Sequence, residues 1–219
     1  MQIGICAIIT QRGQKMEYRC IDLEKKEIPY KDFTGYDRED IARRFAAVIE
    51  GEGPVVDDFL ELKVLKSYGI YQRGSLIAPF LRGVLLSAGA VMTRQIDCDG
   101  AEHLVFWPER FRGHEDEIEA LKFDGYTDFR PSGQKENMEE GTFRSIADFP
   151  QIEIYNAMLS LFEGGEEIKR SDVISLTNKA LGFLVKGRQI RETLENVLRT
   201  AIANRTFIYN RRAGLLRLR

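Results

Sequence analysis

Apolar positions recur at helical spacing in much of this chain, and one such pattern occurs twice. A glycine-bounded turn, Gly182 to Gly187, opens a segment in which Ile190, Leu194, Val197, Leu198 and Ala201 fall on one face of a helix. Shifting the chain by 113 residues brings Gly69, Gly74, Ile77, Leu81, Val84, Leu85 and Ala88 onto Gly182, Gly187, Ile190, Leu194, Val197, Leu198 and Ala201, seven identities in twenty aligned positions. The match extends upstream: Ile41 meets Ile154, Glu50 meets Glu163, Gly51 meets Gly164, and Val55 meets Ile168. Self-similarity at one fixed offset is the mark of a duplicated unit.

The rest of the pattern fills in around these two copies. Ile3 to Thr10 and Met16 to Leu23 are β-rich runs around a turn at Gln11-Arg12-Gly13-Gln14, and Ile28 to Phe33 reads as a short extended piece. In the first copy, Asp37 or Asp40 caps a helix to about Glu50, with Ile41, Phe45, Val48 and Ile49 inward. Gly51-Glu-Gly-Pro54 breaks it, and Val55-Val56 forms a very short strand. Asp57 or Asp58 caps a second helix to Tyr68, stopped at Gly69. Ser75 starts a third helix to about Ala88, with Pro79 tolerable in its first turns. Val91–Ile96 and His103–Trp107 then flank the turn Asp97-Cys-Asp-Gly100.

The second copy repeats this order. A helix runs from Pro150 to about Phe162, and a short strand covers Glu167-Ile168-Lys169. Ser171 or Asp172 caps a helix to Leu181. After the Gly182–Ala201 helix, Thr206–Asn210 and Leu215–Leu218 form a hairpin. Between the copies, Glu109 to Gly141 holds 10 Asp/Glu and 5 Lys/Arg with scattered Gly and Pro; it reads as a linker that Phe123, Tyr126 and Phe129 pin to a surface. The domains are therefore 1–33, a β-hairpin extension; 34–108, a first unit; 109–142, an acidic linker; and 143–219, a second unit.

Helix, short strand, helix, tight turn, helix, hairpin is the order of a winged helix-turn-helix, so the expected class is α+β with two such domains in tandem. Leu181-Gly182-Phe183, Gly187-Arg188-x-Ile190-Arg191-x-x-Leu194-Glu195 and Gly214-Leu215-Leu216 resemble an uncharacterised winged-helix-like domain. That domain ends large bacterial superfamily-1 helicases that also carry a small restriction-type nuclease domain. The resemblance covers about 70 residues of the second copy and, more weakly, residues 37–107. It implies a DNA-processing or phage-defence setting with a helicase or nuclease subunit as partner. It brings no activity with it, because that family has none established.

Composition narrows the function classes. Hydrophobic residues at 43% and charged residues at 30% are those of an ordinary globular chain, and no apolar run reaches membrane-spanning length. Three cysteines without a C-x-x-C pair fit free thiols in a reducing cytoplasm. Net charge is −2 but uneven: 143–219 carries 13 Lys/Arg against 8 Asp/Glu, and 1–142 carries 19 against 26. Only the second copy offers a basic surface.

Candidate contacts follow that asymmetry. The third helix of such a fold commonly enters the major groove. Here Arg188, Glu192, Glu195 and Arg199 share its outward face as two i,i+4 pairs, with Arg191 beside them, and the carboxylates oppose phosphate. The hairpin is the stronger candidate: Arg205, Arg211, Arg212, Arg217 and Arg219 cluster on or near it, with Lys186 in the preceding turn. In the first copy the aligned outward positions are Ser75, Pro79, Arg82 and Leu86, a nearly apolar face suited to protein, and the hairpin tip Asp97-Cys-Asp-Gly-Ala-Glu102 repels phosphate.

No catalytic constellation emerges. His103 and His114 lack ligand spacing. The run Glu115-Asp-Glu-x-Glu119 reads as solvated surface, and Glu61-Leu62-Lys63, an E-x-K, lies in a helix where nuclease chemistry needs strands. The sequence thus predicts no enzyme, cofactor or metal. It predicts a nucleic-acid-binding accessory module acting on double-stranded DNA, with the second unit on phosphates and the first on protein. The alternative is a tandem winged-helix scaffold that binds only protein. An exposed N-terminal strand pair adds the expectation of a homodimer through that hairpin.

Overall fold

The computed structural model describes residues 2–9, 15–132, 144–162, 164–185 and 187–219, with side chains from Cys20 onward. The turn expected at 11–14, the stretch 133–143 and Lys186 lie outside the described residues. The chain is α+β. Two antiparallel strands, β1 (Gln2–Ile9) and β2 (Lys15–Asp22), pair from Gln2↔Asp22 to Ile9↔Lys15. At the end of β2, Ile21 packs with the first helix. The extended piece expected at 28–33 is instead a turn of 3-10 helix, Tyr30–Gly35. Pro29 presets the entry with φ −57, and the turn swings Phe33 fully inside against Tyr68 and Phe80.

The first unit then runs α1 (Arg38–Glu52), β3 (Val55–Val56), α2 (Asp57–Lys66), α3 (Ile77–Ser87), β4 (Val91–Ile96) and β5 (Glu102–Trp107). Asp37 caps α1, its carboxylate accepting from the Glu39 N–H at 2.9 Å. The second helix takes no side-chain cap; it starts directly after β3, with Asp57 as its first residue. The third starts at Ile77 rather than Ser75, which leaves Pro79 in its first turn.

Between the units lie a 3-10 turn, Glu109–Phe111, and the short helix α4 (Glu115–Glu119). The second unit runs α5 (Gln151–Leu159), a 3-10 turn Ser160–Phe162, β6 (Ile168–Lys169), α6 (Arg170–Ala180), α7 (Arg188–Ala203), β7 (Phe207–Asn210) and β8 (Leu215–Leu218). Its sheet order β6-β8-β7 repeats β3-β5-β4 of the first unit, antiparallel throughout. The starts of β3 and β6, and of α2 and α6, stand 113 residues apart, the offset of the sequence repeat. Gly69 and Gly182 end α2 and α6 in the left-handed region, φ 74 and 82, and the next N–H in each bonds back five residues, Ile70 to Leu65 and Phe183 to Asn178.

Two hydrophobic clusters hold the molecule. One joins α1, α2, α3, the 3-10 turn and the end of β2. The other joins Val91, Val105 and Trp107 of the first sheet to Phe111, Ile118, Leu121, Phe123, Tyr126 and Phe129, and onward to α5, α6, α7 and the second sheet. The acidic stretch after β5 therefore contributes buried aromatics, with Trp107 edge-on to both Phe111 and Tyr126. Polar bonds cross the same seam: Gln151 donates its N–H to the Gln95 Oε1 at 2.9 Å and its Nε2 to the Ile96 carbonyl at 2.7 Å.

Candidate functional site

The second unit's basic residues project from two elements. Asn210 ends β7, and its Oδ1 accepts from the N–H groups of Arg212 and Ala213 at 3.1 and 3.3 Å. With Gly214 at φ 69, this folds the chain back into β8 and leaves Arg211 and Arg212 exposed at the turn. Arg205 is exposed where α7 passes into β7, in the left-handed region at φ 63. Arg217 and Arg219 are exposed on and beyond β8. None of these five forms an ion pair among the described residues.

Helix α7 presents a different picture. Arg188, its first residue, is exposed and donates from Nε to the Glu192 Oε1 at 2.7 Å. That bond, then the Glu192 charge, hold the guanidinium more firmly protonated than usual, and Asp99 and Cys98 add to the effect. Those two residues belong to the first unit's hairpin tip, and Cys98 Sγ, an Asp99 carboxylate oxygen and a Glu192 carboxylate oxygen lie within 4.8 Å of one another. The acidic tip thus stands against the start of α7. The Glu195–Arg199 pair expected from spacing gives way to a longer-range one: Glu195 pairs with Arg170 at the start of α6.

Arg191 faces another way. It rims a groove of about 540 Å³ between α6 and α7, walled by Ile174, Ile190 and Leu194 and bounded by Arg170 and Glu195. The first unit has the corresponding groove between α2 and α3, about 410 Å³, lined by Glu61, Arg73, Ser75, Ala78, Pro79 and Arg82. Ser75 and Pro79 are exposed, and Leu86 is 46% exposed. Arg82 turns back into the protein, with Nη2 on the Asp57 Oδ2 at 2.6 Å and Nε 3.3 Å from the Glu61 Oε1. Arg73 pairs with Asp58 and, at 2.8 Å, with Glu61. Burial pushes the Glu61 carboxyl above its usual range despite both guanidiniums. The first groove is therefore lined by its own ion pairs. In the second, the pair sits at the same two positions with its signs exchanged: Asp57 and Arg82 become Arg170 and Glu195.

The remaining candidates sort into structural roles. His103 lies 3.6 Å from Asp57 and 3.4 Å from Asp97, so it braces the first hairpin. His114 meets Glu117 at 3.1 Å, and Glu119 accepts from the Arg94 N–H at 2.7 Å. Glu61 and Lys63 of the E-x-K face separate networks, Lys63 binding Glu52 at 2.6 Å. The groove between α6 and α7 is not among the sequence-predicted sites, although Arg170, Ile174 and Asn178 recur at i, i+4, i+8. An arginine and an amide flanking one aliphatic residue on that stripe are its one signal. Among the described residues no helix is long and apolar enough to cross a membrane. Comparison of the chain with family models, with curated proteins and with solved structures gave no match.

Proposed function

We propose that both units are winged helix-turn-helix domains and that the chain is a non-catalytic nucleic-acid-binding accessory module. In this reading the hairpin β7–β8 of the second unit grips the phosphates of double-stranded DNA, and the first unit faces a protein partner, a helicase or nuclease subunit. The observation that carries it is the set of five exposed arginines on and beside one hairpin, Arg205, Arg211, Arg212, Arg217 and Arg219, without a carboxylate partner among the described residues. Arginines so placed suit phosphate oxygens or a minor groove. The opposing tip of the first unit, Asp97 to Glu102, is acidic, so contact with DNA is one-sided. Helix α7 is the lesser contributor, because Asp99 and Glu192 surround Arg188 with negative charge. The DNA-processing or defence setting comes from the resemblance carried by Leu181 to Glu195 and Gly214 to Leu216.

A labelled duplex titrated at two salt concentrations tests the reading. Binding should weaken steeply with salt, and Arg205→Glu, Arg211→Glu and Arg212→Glu together should flatten the slope of log K against log salt by about 2.7, at roughly 0.9 per phosphate contact. Absence of duplex binding at ~50 mM salt, where such contacts are strong, moves the function to the protein scaffold. That second reading is favoured by the apolar side chains the first unit leaves in solvent, Leu76 at 75% and Tyr71 at 60% exposure.

A further inference from the structure

The groove between α6 and α7 holds two polar groups that nothing among the described residues satisfies. Asn178 is 5% exposed, and its Oδ1 has no hydrogen-bond partner; its Nδ2 is committed to the Phe183 carbonyl at 3.0 Å. Arg170 uses Nη2 for Glu195, while its Nε is buried and unpartnered. Both residues line the groove. Burying a polar atom without a partner is unfavourable, and such atoms in a native fold call for an explanation.

The duplicated unit supplies the control. At the position of Asn178 the first unit has Leu65, 0% exposed and part of its core. At the position of Ile174 it has Glu61, which with Arg73 and Arg82 lines that groove with ion pairs, although the Glu61 Oε1 also lacks a hydrogen bond among the described residues. The fold is therefore content with leucine where the second unit keeps an unpaired amide oxygen. The second unit also replaces the Glu61 charge by an aliphatic side chain. One groove is lined by ion pairs and the other by an aliphatic wall.

Spacing decides what fits. Arg170 and Asn178 are eight residues apart on one helix, so their backbone positions stand about 12 Å apart along its axis. A single nucleobase is too small to meet both. An extended peptide rises about 3.3 Å per residue and covers that distance in about four residues. Ile174 lies midway between the two, with Ile190 and Leu194 opposite, where an aliphatic side chain would be buried. Arg191, exposed at the rim, forms no ion pair among the described residues, so the rim carries one uncompensated positive charge beside the neutral Arg170–Glu195 pair.

We propose that this groove binds a short extended peptide segment of a partner protein, one that carries an aliphatic side chain beside a carboxylate. A backbone N–H of the segment donates to the Asn178 Oδ1, and a carbonyl accepts from the Arg170 Nε. The aliphatic side chain sits between Ile174 and Ile190, and the carboxylate meets Arg191. The inference is independent of DNA binding at the hairpin.

The test uses the full chain and a fluorescein-labelled mixture of hexapeptides with leucine and glutamate fixed two places apart, so that both face one side of an extended chain. Fluorescence anisotropy reads binding, and amide NMR shifts locate it. The wild type binds, with shifts at Asn178, Ile190 and Arg191. Asn178→Leu, the first unit's own solution, keeps a thermal midpoint at or above wild type and binds about tenfold more weakly, the loss of one hydrogen bond. Arg191→Glu, a surface change, turns the preference toward mixtures with lysine in place of glutamate. No wild-type binding tighter than about 1 mM overturns the proposal. So does unchanged binding by both variants. A short oligodeoxythymidylate that shifts Asn178 and Ile190 while the peptides leave them in place overturns it in favour of a polynucleotide.

Discussion

At the scale of the residue, a few buried charges each hold several partners. Glu153 is fully buried and meets Arg144 at 2.9 Å and Arg130 at 2.5 Å, with Arg144 itself 1% exposed and stacked 4.0 Å over Phe149. The Arg130 guanidinium also donates to the Pro54 carbonyl, which ties this cluster to the first unit. Burial alone would raise the Glu153 carboxyl, but the two guanidiniums prevail and hold it below its usual range. Glu153→Gln keeps the shape and leaves two guanidiniums without their counter-charge, at an expected cost of about 3–5 kcal/mol. The sign of the pH dependence follows. A carboxyl lowered by folding stabilises fully above its unfolded value, about 4.3, and that contribution is lost as pH falls through the lower folded value. Urea midpoints of wild type and Glu153→Gln should therefore differ widely at neutral pH and converge on acidification; a gap that stays constant would show that the charge is not what Glu153 contributes. Asp40 shares this direction: Lys26, Tyr68 and Arg44 hold it low against the effect of burial.

At the scale of the element, the two copies answer the same problem with the same backbone and different side chains. Gly69 and Gly182 both adopt left-handed backbone, which costs a residue with a Cβ about 1–2 kcal/mol. Their surroundings differ. A Cβ at Gly69 would meet nothing closer than 3.9 Å, whereas one at Gly182 would come within 3.1 Å of the Ser132 Oγ. Ser132 is held there by its N–H bond to the Leu181 carbonyl at 2.7 Å. Gly182→Ala should accordingly lose about 1 kcal/mol more than Gly69→Ala, the cost of shifting a packed neighbour on top of the dihedral penalty. Equal denaturant midpoints for the two variants would remove Ser132 from the account. These elements were legible in the sequence because their causes are local: apolar spacing, a terminating glycine, a β-rich pair around Asp97 or Arg211. The pairs that line the grooves were not. Asp57 with Arg82, and Arg170 with Glu195, are 25 residues apart, and no periodicity joins them. The turn at Tyr30–Gly35 was missed for a related reason: its burial of Phe33 is decided by Tyr68 and Phe80, far along the chain.

At the scale of the whole molecule, composition is a poor guide to the segment after β5. Its carboxylates mark it as a solvated linker pinned by a few aromatics, yet Phe111, Phe123, Tyr126 and Phe129 are all buried in the cluster that also holds α5, α6 and α7. The consequence is mechanical. Trp107 belongs to the first sheet, but its ring packs on Phe111 and Tyr126, and its Nε1 donates to the Thr93 Oγ1 at 2.9 Å inside that shared core. Trp107 is also the chain's one tryptophan, so its fluorescence reports on the seam alone. If the seam and the second unit's core are one cooperative structure, truncation deep in the second unit lowers the midpoint seen at Trp107. Phe207→Ala makes that cut: Phe207 is 2% exposed, packs against Phe162 at 4.9 Å, and its loss should cost about 3–5 kcal/mol. The expected result is a single transition, with tryptophan fluorescence and helical circular dichroism coincident in wild type and shifted together in the variant. A Trp107 midpoint that stays in place while part of the dichroism melts early would mean that the units unfold separately and that the buried aromatics between them are a contact rather than a common core.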